Sequence, residues 1–335
     1  MWALYRFLTP VLVGLWVAFP ASVAGAGESS RDIFEAPRPP VEDLVAAVVA
    51  APDDVRALVA LGLADLEAKN VDDAVEVLRR AVAVGPDFAP ALLALANALN
   101  AKGAAILKAG GERNDRSGEA APWFATADER FEMATRLNPD DDFAWLTWGN
   151  ALLARNRTNL LLLPTTPPGP VLEKLRTAYR LNPSEVKIAK YLAGTLAFYG
   201  TAFVTYLEPH FSDHPDRSSL PGWVLDIADF GAVGRQYLEE AVDLFEVVRS
   251  HSPDDVSIFY HYIPTLVRFG RVGDAIAACR EVMDRNPHTP TARRTHEYWY
   301  NAISRAYGQG APKDELMPFF AQYEEYKTLL PARND

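Results

Sequence analysis

Six prolines, Pro52, Pro86, Pro139, Pro183, Pro253 and Pro287, punctuate an apolar pattern that returns along most of this chain. Ala74, Leu78 and Ala81 precede Pro86, and Ala127, Phe131 and Ala134 precede Pro139. Ala241, Phe245 and Val248 stand before Pro253, and Ala275, Cys279 and Val282 before Pro287, with Val171, Leu175 and Ala178 before Pro183 as the loosest copy. Steps of four and three put each trio on one helical stripe, and a proline shortly afterwards marks the helix end. Upstream of each trio lies a second apolar frame: Leu58, Leu61 and Gly62 in one unit, Trp145, Trp148, Gly149 and Leu152 in another. The pattern therefore predicts helix pairs near 55–86, 89–139, 142–183, 186–253 and 256–287. A lone helix over 41–51, with Leu44 and Ala47 in second-helix phase, caps the start. A degenerate pair over 290–307 and 312–330, turning near Gly308 and Gly310, caps the end.

The prolines are 34, 53, 44, 70 and 34 residues apart. A unit of 34 with three insertions accounts for these intervals, because both flanking helices keep phase while the link between them lengthens. The insertions fall near 104–122, 157–166 and 201–236, each between the first and second helix of its unit. The first is polar (Gly110 to Asp115), and the second is a leucine run, Leu160 to Leu163, followed by prolines. The third carries Phe203, Tyr206, Phe211, Trp223 and Phe230 and is expected to bury surface of its own. Equivalent turns of a stacked array lie along one edge, which makes Leu161, Leu162, Phe211 and Trp223 a candidate edge patch.

Glycine after Leu-x-x-Leu or Trp-x-x-Trp in the first helix, alanine and a large apolar residue four positions on in the second, and the closing proline resemble the tetratricopeptide repeat. The resemblance covers residues 41 to 289. It departs at the family's tyrosine position, which holds Asp65, Leu99, Leu152, Leu196 and Leu266. The implied fold is an all-α tetratricopeptide α-solenoid of about five helix pairs with capping helices and three insertions. Such a stack exists because no single pair can bury its apolar face alone.

The resemblance also implies a ligand face. In this family positions 2, 5, 9, 12 and 13 of each first helix line the concave side. Carried onto this chain, they single out Asn97, Asn100, Asn150, Lys187, Lys190, Tyr260, Arg268, Arg294 and Tyr298 as a candidate partner-binding groove. Gly149-Asn150 resembles the Gly-Asn segment of members that clamp a peptide's terminal carboxylate. Asparagine amides can hold a peptide backbone and lysines a carboxylate.

The ends change the picture. Residues 1–26 carry Arg6, a largely apolar stretch from Phe7 to Val23 and then Ala24-Gly25-Ala26, the layout of a secretory signal peptide. The competing reading is an uncleaved anchor. With cleavage no membrane span remains, and the location expected is periplasmic or secreted. Residues 27–40, with Pro37, Pro39 and Pro40, read as an extended leader without a fold of its own, 41–330 as a single solenoid and 331–335 as a tail.

A formal charge of -11 disfavours nucleic acid as a partner. Cys279 is the single cysteine, so no internal disulfide can form, and its core position makes it an inert thiol. His210, Asp213, His214 and Asp216 resemble a ligand cluster, but Pro209 and Pro215 oppose the helix that would align them. His296-Glu297 opens like a zincin motif, and Tyr300 stands where its second histidine belongs. No nucleophile elbow or phosphate loop is present, so no catalytic residue, metal or cofactor is expected. The function expected is a non-catalytic scaffold for a protein or peptide partner. The alternative is a solute-binding or solute-channelling accessory of a TRAP-type transport system.

Overall fold

The computed structural model describes residues 29–110, 116–155, 166–211, 222–225, 227–252, 255–285, 290–308 and 313–328. These residues are helical with short turns, and no strand occurs among them. Residues 1–26, expected to be a signal peptide, the core of the polar insertion at 111–115, Leu161, Leu162, the histidine–aspartate cluster beyond Phe211 and the 331–335 tail lie outside them.

The chain divides into two compact units, where the sequence reads as one continuous array. The first unit opens with α1 (Ser30–Glu35) and α2 (Val41–Ala50). It continues with the pairs α3 (Val55–Glu67) and α4 (Val71–Val84), and α5 (Ala89–Gly110) and α6 (Ser117–Leu137), then α7 (Asp142–Ala154). The latter part of α8 (Pro168–Leu181) completes it. The second unit contains α9 (Val186–Ala202), a π-helical turn over Phe203–Leu207, α10 (Glu208–Phe211), α11 (Gly222–Leu225) and α12 (Phe230–His251). Then follow a 3-10 turn over Val256–Ile258, α13 (Phe259–Phe269), α14 (Val272–Arg285), α15 (Pro290–Gly308) and α16 (Lys313–Lys327).

Helix starts after the prolines are capped by carboxylates. Asp54 accepts from the backbone N–H of Arg56 and Ala57, and Asp141 from those of Phe143 and Ala144. Glu185 and Asp229 do the same for α9 and α12. Each satisfies donors that have no partner within the helix.

The apolar trios form the core, with Ala74, Leu78, Ala81, Ala127, Phe131, Val248 and Cys279 essentially inaccessible to solvent. The first-helix glycines explain how the pairs close. A Cβ on Gly62 would collide with Leu78, and one on Gly149 would lie 2.6 Å from Leu175 Cδ2. At the α9–α12 crossing, Gly200 and Gly234 face each other; a Cβ on Gly200 would lie 2.9 Å from the Gly234 carbonyl oxygen.

Two segments differ from the sequence reading. The link over 104–122 is mostly helix, because α5 runs on to Gly110 and α6 begins at Ser117. Leu107 and Ala120 continue the apolar faces along these extra turns and are buried. Residues 30–35, inside the supposed leader, form α1. The Ser29 hydroxyl accepts from Asp32 N–H at 3.2 Å and the Asp32 carboxylate from Ser29 N–H at 3.1 Å, which closes a capping box.

Equivalent turns link α3 to α4 and α13 to α14. Gly270 closes the second with φ of 90°, whereas Lys69 holds the same place with φ of 66°. A left-handed backbone costs a non-glycine residue about 1–2 kcal/mol, partly offset by the entropy glycine loses on folding. Lys69→Gly is expected to raise stability by about 0.5 kcal/mol, and a chemical-denaturation midpoint that falls instead would contradict this account.

Candidate functional site

In the first unit residues 31–38 lie against some of the first-helix positions that the repeat resemblance places on the ligand side. α1 packs on α5 and α7. Phe34 is 4% exposed and sets its ring 5.3 Å from that of Phe143, edge to face. Phe143 occupies position 2 of α7, which the repeat resemblance places on the concave side. Arg31 lies with its guanidinium 5.1 Å from the Phe143 ring centre and donates to Asp142 Oδ2 at 2.9 Å. Arg38 pairs with Glu67, at position 13 of α3, and donates to the Phe34 carbonyl at 2.6 Å. A single aromatic anchor between two arginine–carboxylate pairs thus holds residues 31–38 across three first helices. Charge-assisted pairs of this kind fix register as well as adding energy.

Asn97, Asn100 and Asn150 come from the same helices but serve different ends. Asn97 is half-buried on α5. Asn150 Oδ1 is buried and has no hydrogen-bond partner among the described residues. Asn100 is 7% exposed and accepts from Arg155 Nε at 2.7 Å, so it braces the fold. Arg155 continues to Asp128, donating through both terminal nitrogens at 2.7 and 2.8 Å, and Trp148 Nε1 donates to the same carboxylate at 3.0 Å. The Arg155 guanidinium also lies 4.7 Å from the Phe124 ring centre. Around Trp148 runs an aromatic stack of Phe131, Trp148 and Trp145, with the Lys174 ammonium 4.3 Å from the Trp148 ring centre.

In the second unit Lys187 is exposed at the start of α9. Lys190 is spoken for: its ammonium donates to Asp255 Oδ2 and to Ser257 Oγ, both at 2.7 Å. Burial would raise the Asp255 pKa, and the hydrogen bonds from Lys190 and Ser257 outweigh it, holding this carboxyl below its usual range. A carboxylate clamp built from Lys187 and Lys190 would therefore have to displace an internal partner, which the sequence reading did not foresee. Tyr260 is half-buried, and Arg268 donates to the Pro264 carbonyl at 3.2 Å. The side chains of Arg294, Tyr298 and Phe211 lie outside the described residues.

Trp223 is half-buried and stacks 6.1 Å from Phe203 in a cluster with Leu207, Val224 and Phe230. It contributes to a local core of the third insertion. His296 stacks on Tyr323 at 3.9 Å and contacts the Tyr323 carbonyl at 2.8 Å; burial lowers its pKa and favours the neutral ring. Burial pushes the Cys279 thiol upward, away from the reactive thiolate. No group of three or more potential metal ligands occurs among the described residues.

Sequence reasoning missed Arg31, Phe34 and Arg38, as well as the Asp128–Arg155 pair. The Ser29-x-x-Asp32 box followed by Phe34 was the available signal for the first set. The second had none, since its members are separated by 27 residues.

A family model for the tetratricopeptide repeat matches residues 41–90 and 59–105. The matched stretch, residues 41–105, is similar to tetratricopeptide repeats, and the described residues form the all-α helix pairs that such repeats build. No curated protein matches the sequence. Among solved structures, YrrB, a TPR protein with an unusual peptide-binding site, aligns at 15% identity and a TM-score of 0.44 over 77% of this chain and 100% of its own. A thermophilic TPR protein of Thermus thermophilus aligns at 18% identity and 0.44 over 68% and 89%. A tetratricopeptide repeat protein of Parabacteroides merdae aligns at 14% and 0.41 over 88% and 93%.

Proposed function

We propose that this protein is an exported, non-catalytic scaffold that binds a protein partner through a peptide segment laid on its first helices. One observation carries this reading. The face formed by α3, α5 and α7 accommodates a short peptide, residues 31–38 of the chain itself, through an aromatic anchor and paired charges. A face that holds such a segment has the shape and the polar groups for another. Export rests on the N-terminal pattern ending at Ala26, and the mature chain is expected to begin at Gly27.

Crosslinking the mature protein in intact cell envelopes, followed by mass spectrometry, tests the proposal. A specific protein partner crosslinked through residues of α3, α5 or α7 is expected. Crosslinks scattered over the surface, or none, would defeat it. The intact mass of the purified protein tests export, since retention of residues 1–26 in an envelope preparation removes the cleavage argument.

A further inference from the structure

We infer that the α3–α5–α7 face recognises a short helical segment carrying arginine and, three residues on, phenylalanine, and that residues 29–38 of this chain occupy it as a displaceable internal ligand. The inference rests on the scaffold reading above and gives its partner a chemistry.

α1 is a poor candidate for a permanent part of the stack. It is six residues long, well under the length at which a helix persists by itself. It belongs to no helix pair, and it sits on ligand-lining positions instead of extending the array. α2, which follows it, packs on α3 through Leu44 and Val48. In the link over residues 36–40 the three prolines are exposed and Arg38 is held by Glu67 and the Phe34 carbonyl, so α1 and Arg38 can leave together without disturbing α2.

The face selects by charge and by one pocket. Asp142 takes Arg31, Glu67 takes Arg38, and Phe34 enters the apolar floor beside Phe143. An acidic segment would place like charges against Asp142 and Glu67, which disfavours the acidic or carboxylate-terminated ligand that the Gly-Asn resemblance suggested. A partner must supply the basic–aromatic–basic spacing of Arg31, Phe34 and Arg38. It must also outcompete a tethered copy, whose effective concentration through so short a linker is on the order of millimolar. Closure therefore sets a threshold: weak or mismatched segments fail to enter.

The test uses a fluorescent peptide of residues 27–40 and the full mature chain. Wild-type protein is expected to bind it weakly. A chain carrying Arg31→Ala and Phe34→Ala, whose own segment is loosened, should bind it at least tenfold more tightly. The same peptide with Phe34→Ala should not bind, and Asp142→Ala in the variant chain should weaken binding again. A folded variant chain with no affinity for the peptide overturns the inference. Hydrogen exchange on wild-type protein covers the case of a variant that does not fold. The amides of Ile33 and Ala36, bonded within α1, should exchange at least a hundredfold faster than those at the centre of α5. Equal protection would make α1 a fixed part of the core and overturn the proposal. Peptide binding without any crosslinked partner would instead sink the scaffold reading alone.

Discussion

Arg155→Ala is expected to destabilise the protein by about 2–3 kcal/mol, the largest effect of any single substitution considered. Arg155 is 11% exposed in its side chain and ties three helices together: Asn100 on α5, Asp128 on α6 and its own position at the end of α7. Truncation leaves the Asn100 carbonyl, already buried, without its donor. It also leaves Asp128 with the indole of Trp148 as its remaining partner in the network. Stranding a charge costs more than the pair contributes, because the desolvation penalty stays after the attraction is gone. Asp128 is 38% exposed, and water recovers part of the loss, which keeps the estimate below the range for fully buried pairs. Arg155→Lys should recover only a fraction, since an ammonium cannot make the two parallel bonds of the guanidinium. Urea denaturation of Arg155→Ala, Asp128→Leu and the double variant checks the mechanism. The double variant should be more stable than additivity predicts, and strict additivity would show that the network is not coupled.

Gly149→Leu should cost about 1–3 kcal/mol by overpacking. The reason is geometric: a Cβ at position 149 would already lie 2.6 Å from Leu175 Cδ2 and 2.8 Å from its Cγ, and Leu175 is wholly buried. Leu175 has nowhere to retreat, so α7 and α8 must separate. Gly149→Ala should show the same sign at smaller size. Compensation by Leu175→Ala, which opens room for the new side chain, would identify this contact as the cause. A melting temperature unchanged by Gly149→Leu would mean that the helix phase is wrong.

The candidate site is less legible than the core, and particular residues show why. Asn150 and Asn97 stand out by their place in a repeat, and they do sit on first helices. Lys190 stands out in the same way, but the repeat cannot reveal Asp255 and Ser257 reaching it from 65 and 67 residues away. Phe34 lies in a stretch whose prolines suggest extended chain, and its helix owes its existence to the surface beneath it. A six-residue helix has too few internal hydrogen bonds to offset nucleation.

What the sequence by itself determined is the repeated part. Helix positions, turns at Pro52, Pro86, Pro139 and Pro183, the buried trios and the glycine contacts follow from local periodicity, because each rests on apolar residues recurring at helical spacing within one unit. The tertiary structure alone decided which first-helix positions remain open, that residues 30–35 fold, and that Arg155 bridges α5, α6 and α7. These depend on side chains brought together across tens of residues, up to the 111 that separate Arg31 from Asp142. No periodicity encodes such encounters, since the stacking of helix pairs creates both the surface and the partner that fills it.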